Sequence, residues 1–349
     1  MAVLTVGLGD RSYDITVERG SLAAAGDIVA RLGRRGRAFI LTDSNVAPLW
    51  LGKVAGSFKA AGFDVSSGSL PAGEKTKAFG SLMTVYSMFA DAGLTRSDLV
   101  VTLGGGVIGD LGGFAAATYL RGLDYVQIPT TLLAQVDSSV GGKVAVDLPW
   151  GKNLSGAFWQ PKAVVIDPDA LDTLSDEYFS DGMAEVIKYG CIRDAELFGA
   201  LESAGSRAAL SESIGDVVYR CCDIKRAVVE RDERDTGERM LLNFGHTYGH
   251  ALERYYDYEK ISHGAAVAVG MRVVCGIAEK KGLTEKGCAD RITALCRSYG
   301  LSCEDKAPYG EVIKGISSDK KNLGGKLNVV LIRSVGDGYI YPTDRRFWQ

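Results

Sequence analysis

Along the first half of the chain, short apolar runs alternate with stretches of helical spacing. Ala2–Val6 and Tyr13–Val17 alternate apolar and polar positions around Gly9-Asp10-Arg11-Ser12, a pattern that predicts a hairpin. Residues 21–32 carry apolar side chains at helical spacing, and Arg37–Asp43 reads as a buried strand closing on an acid. Residues 51–61 read as helix, 63–69 as extended, and 79–92 as a helix stopped by Gly93. The apolar strand 99–103 runs into Gly104-Gly105-Gly106-Val107-Ile108-Gly109-Asp110, with helix continuing over 112–118. Residues 125–128 and Ala163–Ile166 are further strands. Strands alternating with helices predict an α/β domain with a mostly parallel sheet and helices on both faces.

From about residue 171 the period changes to that of helices. Leu174-Ser175-Asp176 has the form of a helix start, and helices are predicted over 182–190, 217–230, 265–281 and 292–299. Residues 231–238 read as a mostly solvated turn. Residues 327–333 and 339–341 read as two paired strands. A chain of 349 residues exceeds what one core usually holds, so the change of period marks a boundary between domains 1–170 and 171–349.

Charge narrows the function classes. Lys and Arg total 40 against 43 Asp and Glu, for a net charge of -3. That balance argues against nucleic acid as a partner and leaves only local basic clusters, suited to a small anion. No apolar run is long enough to span a membrane, and the first ten residues lack a basic leader followed by an apolar core. Seven cysteines occur with no C-x-x-C pair. They fit buried thiols in a reducing cytoplasm.

Candidate chemistry gathers late in the chain. The three histidines, His246, His250 and His263, fall within Asn243-Phe244-Gly245-His246-Thr247-Tyr248-Gly249-His250 and just beyond it. His246 and His250 share one helix face. They read either as a metal site with an acid/base group beside it, or as core histidines. Glu185 and Lys188 are three apart among Met183, Ala184, Val186 and Ile187, which predicts enclosed charges that need partners or a metal. Gly104, Gly106 and Gly109 formally satisfy G-x-G-x-x-G between a strand and a helix. Two readings are open: a pyrophosphate cradle, or a tight strand–helix turn. The acid expected some 20 residues on would be Asp124, which precedes its strand, so the standard dinucleotide fingerprint is not met. Asp43 and Asn45, ending an earlier strand, are better placed for ribose hydroxyls. Lys143 closes the small polar stretch 129–143, Lys152-Asn153 follows in a loop, and Arg121-Gly122 lies at a turn; together these suggest an anion pocket.

With those residues in view, the chain resembles the 3-dehydroquinate synthase family over essentially its whole length. The resemblance rests on Thr42-Asp43-x-Asn45-Val46, Gly73-Glu74-Lys75-Thr76-Lys77, the glycine run to Asp110, Thr118-Tyr-Leu-Arg121-Gly122, residues 130–143, Gly151-Lys152-Asn153-Leu154, Ala184-Glu185-Val-Ile-Lys188-Tyr-Gly190, residues 243–250 and His263-Gly264. It implies a dehydroquinate synthase-like fold, in which a Rossmann-like α/β N-terminal domain precedes a C-terminal domain dominated by helices. It implies that Glu185, His246 and His263 hold Zn²⁺ or Co²⁺. NAD would be bound by Asp43, Asn45, Glu74, Lys77, Gly105, Gly106, Asp110, Thr130, Thr131, Lys143, Lys152 and Thr173. Lys143, Asn153, Lys188, Asn243 and His250 would surround the substrate phosphate, with His250 transferring protons and Arg121 reaching in from the partner of a homodimer. Lys225, Arg239 and Lys320 would clamp the substrate carboxylate, and Asp137 would meet its hydroxyls.

The substrate so implied is 3-deoxy-D-arabino-heptulosonate 7-phosphate, an anion at both ends. The family oxidises C5 with NAD⁺, eliminates phosphate, returns the hydride, opens the ring and closes a carbocycle by aldol addition. This is the second step of the shikimate pathway, toward chorismate and the aromatic amino acids, and a lyase reaction overall. Two positions depart from the family: Ala265 stands where an acid usually follows His-Gly, and Asp235 where a glutamate is usual. Three rival readings compete. Another sugar-phosphate cyclase would lack a substrate carboxylate, a metal-dependent polyol dehydrogenase would consume NAD, and a structural module would gain nothing from so many interior polar groups.

Overall fold

The computed structural model describes residues 2–33, 36–317 and 327–349. By internal contacts the chain divides into two units, Met1–Leu174 with Lys225–Glu230, and Ser175–Ile224 with Arg231–Gln349.

The first unit is built on strands β1 (Ala2–Val6), β2 (Tyr13–Val17), β3 (Arg37–Asp43), β4 (Asp64–Leu70), β5 (Leu99–Gly104), β6 (Asp124–Pro129), β7 (Lys143–Leu148), β8 (Gly151–Phe158) and β9 (Ala163–Ile166). Its helices are α1 (Ala25–Ala30), α2 (Gly52–Ala60), α3 (Phe79–Asp91) and α4 (Gly106–Thr118). Among the described residues, seven strands form one sheet in the order β1-β2-β9-β6-β5-β3-β4. Only the β1–β2 pair is antiparallel, as the hairpin pattern predicts. The apolar strands alternate between two cores. Phe39 and Leu41 join Val100 on one face, while Ala38 and Ile40 join Leu99, Val101 and Leu103 on the other. Both faces are therefore covered, the usual condition of a parallel sheet. The chain steps outward from β3 to β4, then returns to β5 on the opposite side of β3. That reversal is a topological switch point, and the crevice beyond the carboxyl ends of β3 and β5 is where such sheets bind ligands.

Three expectations need correction here. The stretch 21–32 is a 3-10 turn (Ser21–Ala24) followed by the short α1, which ends at Ala30. The helix after the glycine run begins at Gly106, so Gly109 lies inside it. The third concerns Lys143, Lys152 and Asn153, expected in loops: the residues around them form a β7–β8 hairpin outside the main sheet, with a register shift between Val146 and Leu148.

The second unit contains α5 (Asp176–Arg193), α6 (Ala195–Ala204), α7 (Arg207–Leu210), the first part of α8 (Ile214–Arg231), α9 (His246–Tyr255), α10 (His263–Lys280), α11 (Cys288–Ser298) and α12 (Tyr309–Ser317). A β10 (Leu327–Ile332) and β11 (Gly338–Thr343) hairpin completes it. Ser175 starts α5 by accepting the Tyr178 N–H, as its sequence predicts. Among the described residues no helix is long and apolar enough to cross a membrane. All seven cysteines are buried thiols.

Candidate functional site

Three helices of the second unit bring together three side chains of types that can ligate a metal. Glu185 sits midway along α5, and His246 and His263 open α9 and α10. The chain enters α9 through Gly245 at a φ of 81°, where a Cβ would lie 2.8 Å from the Val267 carbonyl oxygen. Only glycine suits that conformation and that approach. α10 enters through Ser262, whose hydroxyl accepts the Ala265 N–H. His246 Nε2 lies 3.4 Å and His263 Nε2 3.5 Å from Glu185 Oε1. The ligand atoms of the three residues all lie within 4.8 Å of one another. One carboxylate and two imidazoles make a donor set suited to zinc and its neighbours.

The outer edges of the two rings are held differently. His246 Nδ1 is 3.2 Å from the Phe244 carbonyl, and His263 Nδ1 is 3.5 Å from Glu253 Oε1. Lys188 and Glu185 are each only 1% exposed, and the Lys188 ammonium donates to Glu185 Oε2. The enclosed ion pair expected from their apolar neighbours is present.

These surroundings split the two imidazoles. Burial, then Lys188 and the other histidines, push His246 down to about 3 against the pull of Glu185. Burial also disfavours a charge on His263, but Glu185 and Glu253 outweigh it and raise that ring to about 10. Both rings face one carboxylate oxygen, and the ring with a second acid keeps the proton. A divalent cation bound at this donor set would compete with that proton.

His250 lies one turn beyond His246, exposed, with ring centroids 5.3 Å apart. It belongs to a different grouping of possible ligands, with Glu253 and His263. Asn243 is exposed at the end of a 3-10 turn, Glu238–Asn243. Arg239, 3% exposed, donates to the Glu233 carbonyl. The run 231–238 is more ordered than a solvated turn, since the Asp232 carboxylate accepts the N–H groups of Thr236, Gly237 and Arg239. Lys320 lies outside the described residues.

In the first unit, Gly105 caps α4 with no side chain of its own, and no residue from Gly104 to Gly113 needs a positive φ. The glycines serve close approach. A Cβ at Gly109 would meet Gln127 Oε1 at 2.7 Å, and one at Gly112 would meet Thr102 Cγ2 at 2.5 Å. Asp43 and Gly104 stand two residues beyond the paired Leu41 and Thr102, at the carboxyl ends of β3 and β5. Asp43 Oδ1 accepts the N–H groups of Asn45 and Val46. Thr130 Oγ1 is buried with no hydrogen-bond partner, and Thr131 Oγ1 accepts the Ala134 N–H. Asp124 begins β6, paired with Leu99 at the end of the strands remote from the glycine turn.

Lys77 is buried and donates to Asp110 Oδ2 and Asn153 Oδ1, each at 2.5 Å. Burial opposes its charge, but Asp110 and Glu74 more than offset that and hold its pKa above the ordinary lysine value. Burial lifts the Asp110 carboxyl, and Lys77 pulls it back only in part. Lys152 faces Glu74 at 3.3 Å. Lys143 is the first residue of β7, while Lys152 and Asn153 lie in β8, Asn153 at a φ of 56°. These three are strand residues, not loop residues. Lys225, on the part of α8 grouped with this unit, donates to the backbone and side-chain oxygens of Asp137 at 2.6 and 2.9 Å. Arg121 is exposed at a φ of 69°, and Thr173 closes a 3-10 turn with its hydroxyl donating to Ala170. Glu253 escaped the sequence reading. Its signal was its place three residues after His250 on the same helix.

Comparison with known proteins gives a consistent answer. A family model described as 3-dehydroquinate synthase N-terminal matches residues 67–181, and one described as 3-dehydroquinate synthase C-terminal matches residues 182–322. The 3-dehydroquinate synthase of Clostridium beijerinckii is 50% identical over 349 residues, covering 100% of both chains. Among solved structures, a 2-epi-5-epi-valiolone synthase from Streptomyces hygroscopicus, with NAD⁺ and Zn²⁺ bound, is 26% identical. It superposes at a TM-score of 0.88, covering 98% of this chain and 96% of that one. A 2-deoxy-scyllo-inosose synthase shares the fold at 23% identity and a TM-score of 0.88, covering 99% of this chain and 98% of that one.

Proposed function

The chain belongs to the 3-dehydroquinate synthase family, and from that membership we propose how its residues divide the work of turning 3-deoxy-D-arabino-heptulosonate 7-phosphate into 3-dehydroquinate and phosphate. Its cofactors are NAD and one divalent ion, Zn²⁺ or Co²⁺, in keeping with the NAD⁺ and Zn²⁺ bound by the valiolone synthase. When bound, they supply reversible hydride removal at the C5 carbinol and Lewis-acid polarisation of its oxygen.

Glu185, His246 and His263 hold the ion. The Phe244 carbonyl takes the Nδ1–H of His246, which leaves the Nε2 lone pair for the metal. The donor set and its spacing fit such an ion. The glycine turn fits NAD. Gly105 and Gly106 offer backbone N–H groups at the start of α4, where a pyrophosphate gains from the helix dipole. Thr130 Oγ1, buried without a protein partner, is available to the cofactor, and Thr131 and Asp110 stand beside that turn. Asp43 spends Oδ1 on the next backbone turn, so ribose contact falls to Oδ2. Asn45, Glu74, Lys77, Lys143, Lys152 and Thr173 complete the NAD-binding set.

The substrate phosphate is the task of Lys143, Asn153, Lys188, Asn243 and His250, with Arg121 supplied across a homodimer. His250, exposed beside the ligand helix, moves a proton at the phosphate oxygens. Lys188 has a second task, orienting Glu185 through Oε2. Lys225, Arg239 and Lys320 receive the carboxylate. Asp137 holds the Lys225 ammonium in place and turns its remaining capacity to the substrate hydroxyls. Seven buried thiols fit a reducing, cytoplasmic setting.

The observation that carries this reading is the convergence of three ligand atoms from three helices beside a buried lysine. The test is phosphate release from the heptulosonate phosphate, with NAD and metal each omitted in turn. Release that needs metal and only catalytic NAD supports it. Stoichiometric consumption of NAD would point to a dehydrogenase instead.

A further inference from the structure

We propose that Glu253 is a positioning residue of the metal site: its carboxylate receives the Nδ1–H of His263, selects the tautomer that leaves Nε2 for the ion, and makes that ring a stronger ligand. This rests on the reading that Glu185, His246 and His263 hold a divalent cation.

His246, His250 and Glu253 occupy positions i, i+4 and i+7 of α9, so they form one stripe along its face. Glu253 is 4% exposed, a burial that a carboxylate tolerates only with a cationic or hydrogen-bonding partner. His263 Nδ1 faces it at 3.5 Å, while the opposite edge of the same ring faces Glu185. The register of this contact is set by backbone packing. A Cβ on Gly270 of α10 would fall 1.9 Å from the Gly245 carbonyl oxygen, and one on Gly249 of α9 would fall 3.0 Å from that of Ala266. α9 and α10 thus approach too closely to slide. The first turn of α10 is pinned as well, since Gly264 N–H donates to Asp181 Oδ1 at 2.6 Å.

His246 has a neutral carbonyl at its outer edge, whereas His263 has a carboxylate. A carboxylate donates more electron density through the ring, so removing it weakens the Nε2–metal bond as well as freeing the ring to turn. Ala265, within the first turn of α10, has no polar side chain to offer in its place.

Zinc affinity, measured by competition with a chromophoric chelator at fixed pH, tests this on Glu253→Gln, Glu253→Ala and Glu185→Ala. Cobalt(II) absorption gives a second readout of ligand geometry. The wild-type chain should take one ion. Glu253→Ala should lose about 10–100-fold in affinity and show an altered cobalt spectrum. Glu253→Gln, whose amide oxygen still accepts a hydrogen bond, should lose less. If Glu253→Ala does not fold by circular dichroism, the near-isosteric Gln variant decides. Affinities within about twofold of wild type and unchanged cobalt spectra would overturn the proposal. So would two ions in the wild type and one of unchanged affinity in Glu253→Ala, which would make Glu253 a ligand with His250. A wild-type chain that takes no ion, or a Glu185→Ala variant that binds as tightly, would instead defeat the metal-site reading itself.

Discussion

A lysine with 1% of its surface exposed cannot be removed like a surface cation. From sequence, Lys188→Ala would be expected to fold normally and turn over poorly. Its burial against Glu185 changes the first half of that expectation. Deleting one partner of a buried ion pair strands the other, at a cost of about 3–5 kcal/mol. Lys188→Ala should therefore melt well below wild type in a chelator, and the gap should narrow in excess zinc, where the ion takes over the neutralisation of Glu185. Equal gaps in both conditions would separate Lys188 from the metal site. His250→Ala should behave differently. The ring is exposed, so its loss should shift stability by no more than about 0.5 kcal/mol, while turnover falls by about 10²-fold or more if the ring transfers protons. The enclosure of Glu185 and Lys188 was legible because their neighbours are apolar and three-residue spacing puts both on one helix face. The proposed ligand set was not legible from spacing. His246 and His250 share a face, but Glu185 is met by His246 and by His263, the latter on a different helix, and only the family resemblance singled out that trio.

Glycines decide whether elements can meet, and they do so by contact, which sequence does not display. Gly270 and Gly276 both lie within α10 and look alike in the chain. A Cβ at Gly270 would lie 1.9 Å from the Gly245 carbonyl oxygen, whereas one at Gly276 meets nothing within 4 Å. Gly270→Ala should force α9 and α10 apart, lowering the melting temperature and zinc affinity together. Gly276→Ala should be neutral or stabilising by about 0.5–1 kcal/mol, as expected inside a helix. Comparable losses in both variants, in thermal melts and chelator competition, would refute this account of helix packing. The same distinction explains what was read well. Strands β1, β2, β3 and β9 were bounded correctly because apolar runs end at charged or glycine positions. Lys152 and Asn153 read as loop residues because glycine and asparagine, here Gly151 and Asn153, are turn formers by type. Asn153 does adopt a left-handed backbone, but inside a hairpin whose register it interrupts. The start of α4 was placed late because glycines are poor helix formers, and here close packing on the sheet overrides that propensity.

At the scale of the molecule, the change from alternating strands and helices to a mostly helical chain closed by one hairpin was visible in hydrophobic period. The return of residues Lys225–Glu230 to the first unit was not, because a single helix, α8, supplies both units and its spacing is uniform. The division has a chemical consequence. Glu185, His246, His263 and Glu253 all lie in the second unit, while the glycine turn, Asp43, Lys77 and Thr130 all lie in the first. Each set is assembled from contacts inside its own unit, so neither needs the other's ligand to hold its shape. Removing the ion with a chelator should therefore abolish phosphate release while changing the NAD dissociation constant by less than about threefold, since additivity holds for sites with no shared partners. Calorimetric titration of NAD with and without chelator checks this. A tenfold or greater loss of NAD affinity would mean a coupling free energy above about 1.4 kcal/mol, and the ion would then help to build the nucleotide site as well as the reaction site.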